Sequence, residues 1–336
     1  AKRLAISSGR DADTIHKALE ASVRETGRTY FERNEANPLE EDLIIVDEAS
    51  MLDISLFYHL LCALKDGARL ILVGDIDQLP PVGAGEPLKD LMSWGYVPIV
   101  RLKRIFRQEE GSGIVENAAL IRKGEMCVPD EAGEFRIVYA ADDEDAYRIV
   151  MDLCRELNYG NEENKMLLQV LSPMYRGVCG ADHLNESLQE MIHGEKVPDG
   201  MKFFPGDKVM QTRNDYEKGI YNGDVGTVWT ATPQKVFVHY FDKEVVYEGE
   251  ERFDLRLAYA VTVHKSQGSE YETVIFILRP SQHNMLQRNL LYTGVTRARK
   301  NTILVTAPDA LRRALAIQHT GNRYSLFLPF LNHEAL

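Results

Sequence analysis

Two segments decide the fold: DLIIVDEAS (residues 42–50) and RLILVGDIDQLPPVGAG (residues 69–85). Each starts with a short apolar run and passes directly into acidic and turn-forming residues. Such runs predict strands of a parallel sheet that is covered by helices on both faces. Between them, residues 54–65 carry apolar side chains at helical spacing behind Asp53, a favourable N-cap, and predict the connecting helix.

The same alternation of strands and helices continues along the chain and predicts an α/β protein. The predicted strands are residues 42–46, 69–73, 97–100, 135–139, 166–171, 273–278 and 302–306. Residues 203–255 break this rhythm, because β-branched and aromatic residues alternate there between closely spaced turn signals. We expect that stretch to form a small β-barrel inserted in the second α/β unit.

Length and composition narrow the class of protein. A chain of 336 residues suggests two large domains, or two and a small one. The net charge of −12 disfavours the binding of a polyanion by bulk electrostatics, so any contact with nucleic acid must be local. The four cysteines are far apart and form no C-x-x-C pair, and neither a signal peptide nor a membrane-length apolar stretch is visible. We expect a soluble, cytoplasmic protein with reduced cysteines.

The start of the chain is unusual for a nucleotide-binding α/β unit. It opens with AKRLAISSGR, without a first strand, and no G-x-x-x-x-G-K-[ST] phosphate loop (Walker A) occurs downstream. We therefore interpret the sequence as a fragment that lacks the Walker A region.

Acidic residues stand where ligands bind in open α/β sheets, at the carboxyl ends of strands. In nucleotide hydrolases an Asp placed like Asp47 holds magnesium, and a neighbouring Glu such as Glu48 polarises the attacking water. Gln78, one turn past the next strand, suits a sensor of the γ-phosphate. Helix capping explains the acidic residues of DLIIVDEAS equally well. Turn chemistry alone explains RLILVGDIDQLPPVGAG less well, because Asp47 and Asp75 follow two successive predicted strands.

A family resemblance follows from five ordered motifs. DEAS, GDIDQLPPVGAG, RIFRQ, AYAVTVHKSQGSEYE and LLYTGVTRARK occur in the order and approximate spacing of motifs II to VI of superfamily 1 helicases. The residues in these motifs most resemble those of the RecD-like family, which includes the exodeoxyribonuclease V alpha subunit and its stand-alone relatives. LSPMYRGVCGADHLNESLQ and PGDKVMQTRNDYEKGIYNGDVGTV extend the similarity over nearly the whole chain.

The resemblance implies a motor that moves 5′ to 3′ along single-stranded DNA and hydrolyses ATP with Mg²⁺ between two RecA-like lobes. Residues 1–108 would form the end of the first lobe, residues 109–202 and 256–336 the second lobe, and residues 203–255 an SH3-like insert. Residues 28–38 would supply a strand-splitting pin. Single-stranded DNA, single-strand/duplex junctions and other recombination subunits would be the partners, in DNA repair and recombination.

The resemblance also assigns nucleotide-site residues. Asp47 corresponds to the magnesium ligand, Glu48 to the residue that activates water and Gln78 to the γ-phosphate sensor. Two arginines correspond to groups that reach the γ-phosphate, Arg107 and Arg297, although Arg104 competes with Arg107 and either can be an ordinary surface arginine. The remaining nucleotide-binding positions are Asp75, Gly268 and Glu270. A helix over residues 284–298 would carry Arg297 near its far end.

The DNA-binding assignments are less specific. Thr262 and His264 correspond to positions that face DNA, although a histidine on a polar loop is more often merely solvated. In the insert, Arg213, Tyr216 and Lys218, with Asn214 and Tyr221 beside them, combine phosphate donors with stacking rings, although barrel cores also use tyrosine. Lys2 and Arg3 touch phosphates or are terminal charges.

Two other classes of protein remain open. A non-catalytic DNA-binding or adaptor module would lack the phosphate loop naturally, but it has no need for Asp47, Glu48, Gln78 and Arg297 together. The helicase half of a conjugative relaxase would share these motifs, although no relaxase or nuclease constellation is visible.

Overall fold

A computed structural model describes residues 2–23, 29–102, 111–241, 243–318 and 327–332. The chain divides into two compact units, Ala1–Lys103 with Thr320–Leu336, and Arg104–His319. Among the described residues, no helix combines the length and apolar character needed to span a membrane.

The first unit is built around a short parallel sheet. Its elements are α1 (Lys2–Ser8), α2 (Ile15–Ala18), β1 (Ala21–Val23), β2 (Thr29–Phe31), β3 (Leu43–Val46), α3 (Ile54–Cys62), β4 (Arg69–Leu72) and α4 (Pro87–Trp94). β3 and β4 pair in parallel, with Val46 opposite Leu72. Asp53 caps α3 by accepting the Leu56 amide at 2.8 Å, as the sequence predicted.

Only one face of this two-stranded sheet is buried in the described residues. On that face Val46 packs with Leu60 and Ala63. On the other face Leu43, Ile45 and Ile71 are 46–53% exposed. The expectation of helices on both faces is therefore not met in this unit.

Residues 97–100 were expected to be a strand, and this prediction is wrong, because the structure has irregular backbone there. Pro98 has no amide to donate to a ladder, and Val100 is 86% exposed. The apolar run therefore finds no neighbouring strand.

The end of the chain also differs from the expected division. We placed residues 256–336 in the second lobe, but α11 (Phe327–Leu331) packs on the first unit. The Phe327 ring meets Phe57 edge-on at 5.8 Å, and Trp94 Nε1 donates to the Leu331 carbonyl at 3.1 Å. These contacts cover part of Phe327, whereas Phe330 is 65% exposed.

The expected pin segment is divided between two small structures. β2 pairs antiparallel with β1, and Asn34 pairs with Asn37 across a tight turn. Residues 28–38 thus do not make one hairpin by themselves, and Arg28 lies outside the described residues.

The second unit contains a five-stranded parallel sheet in the order β12-β6-β13-β14-β5. Its strands and helices are α5 (Gly113–Lys123), β5 (Phe135–Tyr139), α6 (Asp143–Glu156), α7 (Glu162–Leu167), β6 (Leu168–Ser172), α8 (Ala181–His193), β12 (Ala260–Thr262), β13 (Tyr271–Leu278), α9 (Arg288–Val295), β14 (Ala298–Thr306) and α10 (Pro308–Ala316). The central strands are buried from Val274 to Leu278 and from Ile303 to Val305. This matches the apolar runs that predicted them.

An antiparallel five-stranded sheet interrupts this unit. Its strands are β7 (Lys208–Gln211), β8 (Val225–Ala231), β9 (Lys235–His239), β10 (Glu244–Glu248) and β11 (Leu255–Leu257), in the order β10-β9-β8-β7-β11. Alternate residues such as Val236, Val238 and Tyr247 fill its core. The stretch that broke the sequence rhythm is therefore a small β-structure, as predicted.

Buried polar groups join this insert to the parallel sheet. The Lys208 ammonium donates to Gln169 Oε1 at 2.9 Å and to the Leu168 carbonyl at 3.1 Å. Asp207 is fully buried and accepts from the Tyr259 hydroxyl at 2.9 Å, with His193 Nε2 at 2.8 Å. Burial lowers the pKa of Lys208 to about 7.

Candidate nucleotide and DNA site

The acidic pair lies at the carboxyl end of β3. Asp47 is exposed and Glu48 partly buried. The Glu48 backbone has φ 53° and ψ 38°, the left-handed region that non-glycine residues rarely adopt, and its amide donates to Asp47 Oδ1 at 2.9 Å. Strained residues of this kind cluster at functional sites. The local fold thus fixes two carboxylates next to each other at a sheet edge.

The loop after β4 leaves the same edge of the sheet, because the two strands are parallel neighbours. Asp75 Oδ1 accepts the Asp77 amide at 3.0 Å, and the Asp75 carbonyl accepts the Gln78 amide at 3.2 Å. A backbone hydrogen bond of 2.8 Å, from the Ala49 amide to the Val73 carbonyl, connects this loop to the segment of the acidic pair. Asp47, Glu48, Asp75 and Gln78 therefore belong to one edge, as expected.

The chemistry of this edge suits a partly hydrated magnesium ion. The described residues contain no group of three or more His, Cys, Asp or Glu placed to hold a metal. Mg²⁺ is usually held by one or two carboxylates together with waters and substrate phosphates. The exposed carboxylate of Asp47 fits such a site.

The segment after β12 is more buried than we expected for a DNA contact. Thr262 is only 4% exposed, and its Oγ1 accepts the Lys265 amide at 3.4 Å. His264 is partly buried, and burial lowers the pKa of its imidazole. Gly268 has φ 73° with open space around it, which explains the glycine by backbone conformation.

Glu270, the expected ribose contact, has a side chain that is only 4% exposed. Its Oε2 lies 3.6 Å from Arg299 Nε, so the carboxylate is paired within the second unit. No local pattern indicates this pairing, since Glu270 immediately precedes β13 and Arg299 lies on β14.

Arg297 is buried rather than projecting from a helix. α9 ends at Val295 instead of continuing to residue 298, and Arg297 is 2% exposed. Its Nε donates to the Thr293 carbonyl at 3.1 Å, and its Nη1 donates to the Ser269 carbonyl at 3.3 Å. The guanidinium thus links the segment LLYTGVTRARK to the segment AYAVTVHKSQGSEYE, the last two of the five motifs. Arg107 and its competitor Arg104 lie outside the described residues.

The candidate DNA residues of the insert differ in their surroundings. The Arg213 side chain is 80% exposed, with Nε 3.5 Å from Asp254. The Lys218 ammonium lies 2.5 Å from Glu251 and 5.0 Å from the centre of the Tyr247 ring. The charge of Lys218 is therefore compensated by a close acidic partner within the insert, while the Arg213 guanidinium is largely exposed beside Asp254.

The aromatic residues of the insert loop lie together. Tyr216 is 46% exposed, its hydroxyl accepts from Asn214 Nδ2 at 3.3 Å, and its ring lies 6.2 Å from Tyr221. A half-exposed ring of this kind suits the stacking of a base.

We assigned no role to two cations in this part of the second unit, Lys265 and Arg256. The Lys265 ammonium donates to Asn222 Oδ1 at 2.5 Å, which links the segment after β12 to the insert loop. Burial and the charge of Arg256 lower the pKa of Lys265. Arg256 itself stacks over the Tyr175 ring at 5.5 Å. Lys265 belonged to a recognised motif, whereas no local pattern distinguished Arg256.

Family models match three parts of the chain. Residues 1–136 match an AAA domain, residues 184–240 the SH3 domain of ATP-dependent RecD-like DNA helicases, and residues 257–305 a UvrD-like helicase C-terminal domain.

Curated relatives match nearly the whole chain. The ATP-dependent RecD2 DNA helicase of Deinococcus radiodurans is 37% identical over 330 residues, covering 97% of this chain and 44% of the relative. The RecBCD enzyme subunit RecD of Mycolicibacterium smegmatis is 32% identical, covering 95% of this chain and 60% of the relative. The chain thus spans about half the length of these relatives.

Solved structures agree on the fold. A Bacteroides Pif1 helicase in complex with ADP-AlF3 and ssDNA has a TM-score of 0.54 and 20% identity, with 98% of this chain and 84% of that chain covered. Pif1 helicases from a study of DNA unwinding at forked duplexes give a TM-score of 0.54 and 21% identity over 89% of this chain and 78% of that chain. The chain is therefore similar to RecD-like helicases in its insert and over nearly its whole sequence, and to Pif1 helicases in its fold.

Proposed function

We propose that this chain is the motor portion of an ATP-dependent DNA helicase that moves 5′ to 3′ on single-stranded DNA. The observation that carries the proposal is the acidic pair at the end of β3, with Glu48 in a left-handed conformation beside the loop of Gln78. An adaptor module has no need for an acidic pair and Gln78 at one edge of a sheet.

In the proposed reaction Asp47 contributes an oxygen ligand to magnesium, and Glu48 accepts the proton of the attacking water. Gln78 contacts the γ-phosphate, and Asp75 supports the same loop. ATP, when bound with Mg²⁺, supplies the phosphoryl group. These roles rest on the strand-end geometry and on the family resemblance.

Arg297 and Arg107 are proposed to neutralise charge on the transferred phosphoryl group. The Arg297 guanidinium is held by the Thr293 and Ser269 carbonyls, so this role requires it to exchange at least one of these bonds for a phosphate oxygen. Such an exchange would make the contact specific to the reactive state.

Single-stranded DNA is proposed to contact the second unit where Lys265 meets the insert loop. Tyr216 supplies a stacking ring, and Arg213 and Arg256 supply charges outside the barrel core. His264 lies in the same segment as Lys265. Single-strand/duplex junctions and other recombination subunits are the proposed partners of the intact protein.

Strand displacement by the intact protein tests the proposal. We expect ATP-dependent displacement from duplexes with a 5′ single-stranded tail, and none from duplexes with a 3′ tail. Displacement from 3′ tails alone would overturn the direction. Absence of both displacement and DNA-stimulated ATP hydrolysis would favour an adaptor.

The chain by itself is proposed not to hydrolyse ATP at a helicase rate, because its 336 residues contain no G-x-x-x-x-G-K-[ST] loop to hold the β- and γ-phosphates. Robust DNA-stimulated turnover by this chain alone would refute that statement.

A further inference from the structure

Asp207 lies where the chain enters the insert, and its carboxylate is fully buried. The Phe204 amide donates to it at 2.7 Å, Gln189 Nε2 at 2.5 Å and the Tyr259 hydroxyl at 2.9 Å, and His193 Nε2 lies 2.8 Å away. Burying a carboxylate is costly unless hydrogen-bond donors surround it. A network that satisfies the carboxylate in this way specifies one arrangement of the segments that supply the donors.

The chain leaves the insert beside the same carboxylate. The Ala258 amide donates to the Lys208 carbonyl at 2.8 Å. The next residue, Tyr259, is fully buried, and its hydroxyl is one of the donors to Asp207. One backbone bond and one buried side-chain bond therefore hold the entry and the exit of the insert together.

Tyr259 leads directly into β12, which lies at the edge of the parallel sheet beside β6. Side chains hold this edge strand as well. Asn185 of α8 accepts from the Ala260 amide at 2.9 Å and donates to the Ala260 carbonyl at 2.8 Å. The Tyr259 carbonyl accepts from the Tyr159 hydroxyl at 2.6 Å and from Gln169 Nε2 at 2.8 Å. The position of β12 thus depends on the bonds of Tyr259 and Ala260.

β12 passes into the segment that carries candidate contacts to both DNA and nucleotide. These candidates are Thr262, His264, Gly268 and Glu270. The insert meets this segment again at Lys265, whose ammonium donates to Asn222 Oδ1 at 2.5 Å. Residues 259–265 are therefore bonded to the insert at both ends, and a movement of the insert would be passed to them.

We propose that Tyr259 and Asp207 are positioning residues that couple single-stranded DNA on the insert to ATP hydrolysis. DNA held by Arg213 and Tyr216 acts on the insert, and the bond between Tyr259 and Asp207 passes this effect to β12 and to the segment that contacts the nucleotide. Tyr259 is buried and acts through its neighbours, without touching either ligand. This coupling rests on the function proposed above and adds the route by which DNA stimulates turnover.

Coupling of this kind is reciprocal for binding. If single-stranded DNA raises the affinity for a non-hydrolysable ATP analogue by some factor, the analogue raises the affinity for the DNA by the same factor. Loss of the bond between Tyr259 and Asp207 should reduce both factors equally and leave the affinity for each ligand alone nearly unchanged. A variant that merely unfolds part of the protein would lower both of these affinities instead.

Tyr259→Phe in the intact protein tests the proposal, because phenylalanine keeps the buried ring and removes only the hydroxyl. Tyr247→Phe is the matched control, since Tyr247 is likewise buried and its hydroxyl donates to Gln211 Oε1 at 3.0 Å within the insert. Both variants should unfold at a lower temperature than the wild type. Tyr259→Phe alone should reduce the stimulation of ATP turnover by single-stranded DNA by about fivefold or more, the lower end of typical couplings between sites.

Hydrogen exchange of the intact protein without ligands gives a second measurement. Tyr259→Phe should speed the exchange of the amides of residues 260–265 relative to the wild type, and Tyr247→Phe should not. Unchanged exchange at these residues would overturn the positioning role, and unchanged stimulation by DNA would overturn the coupling. A wild-type protein without DNA-stimulated ATP hydrolysis would instead refute the proposed function, and hydrogen exchange would still decide whether Tyr259 positions β12.

Discussion

The Glu48 amide donates to Asp47 Oδ1 at 2.9 Å while the Glu48 backbone stays in the left-handed region at φ 53°. For a residue with a side chain this conformation costs roughly 1–2 kcal/mol. The fold tolerates the cost because the following turn is tied to β4 through the Ala49 amide and the Val73 carbonyl. Stability and catalysis should therefore oppose each other at position 48.

Glu48→Gly should raise the stability of the first unit by about 1 kcal/mol, because glycine adopts this conformation without strain. It should also abolish ATP turnover by the intact protein. Thermal unfolding and steady-state hydrolysis measure the two effects. Glu20→Gly is the control, since Glu20 has the same φ of 53° and should leave turnover unchanged. A destabilised Glu48→Gly protein would contradict the assignment of strain.

Arg297→Ala should reduce turnover by roughly a thousandfold or more, as for other arginine fingers, while ADP affinity stays nearly unchanged. Arg297→Lys should restore little, because an ammonium cannot reproduce the planar fork of the guanidinium. Since Arg297 also bonds the Thr293 and Ser269 carbonyls, thermal unfolding must be measured in parallel. Loss of ADP binding in step with turnover would mean that Arg297 only supports the fold.

Arg213→Ala should weaken single-stranded DNA binding by the intact protein and reduce the slope of log K against log salt by about 0.7, the value for one phosphate contact. Lys218→Ala should instead destabilise the insert, because Glu251 and the Tyr247 ring lose their cation. Binding titrations across salt concentrations and thermal unfolding distinguish these results. A salt slope that is unchanged in Arg213→Ala would remove Arg213 from the DNA contact.

Lys208 should make stability depend on pH. Burial lowers its folded pKa from 10.5 to about 7, so between these pH values the unfolded chain binds more protons than the folded chain. The free energy of unfolding should therefore rise with pH across this window, by at most about 1.4 kcal/mol per pH unit.

Lys208→Met should flatten that slope, whereas Lys235→Met, at an exposed lysine paired with Glu248, should not. Urea unfolding at several pH values provides the measurement. An equal slope in wild type and Lys208→Met would show that other groups cause the dependence.

The sequence predicted the parallel strands and their acidic ends because both depend on local patterns. Strand β5 was expected at residues 135–139 and has those bounds. The strand prediction for residues 97–100 was wrong because an apolar run does not show whether a neighbouring strand exists. Pro98, which has no amide hydrogen to donate, argues against pairing in a sheet.

The surroundings of the site residues were harder to foresee. Arg297 is buried and donates hydrogen bonds to the carbonyls of Thr293 and Ser269. The charge of Lys218 is neutralised by Glu251, which is distant in the sequence. Charge patterns show that a residue is cationic, but only tertiary contacts show whether its charge is available to a ligand.

The most direct test of the central claim is Glu48→Gln in the intact protein, with nucleotide binding and DNA-stimulated turnover measured on the same preparation. The amide keeps the shape of the side chain but cannot accept a proton, so we expect ATP affinity to persist while turnover falls by roughly 10²–10⁴-fold. Asp47→Asn should differ by weakening the magnesium-nucleotide complex. Near-normal turnover in both variants would contradict the assignment of this acidic pair as the catalytic centre.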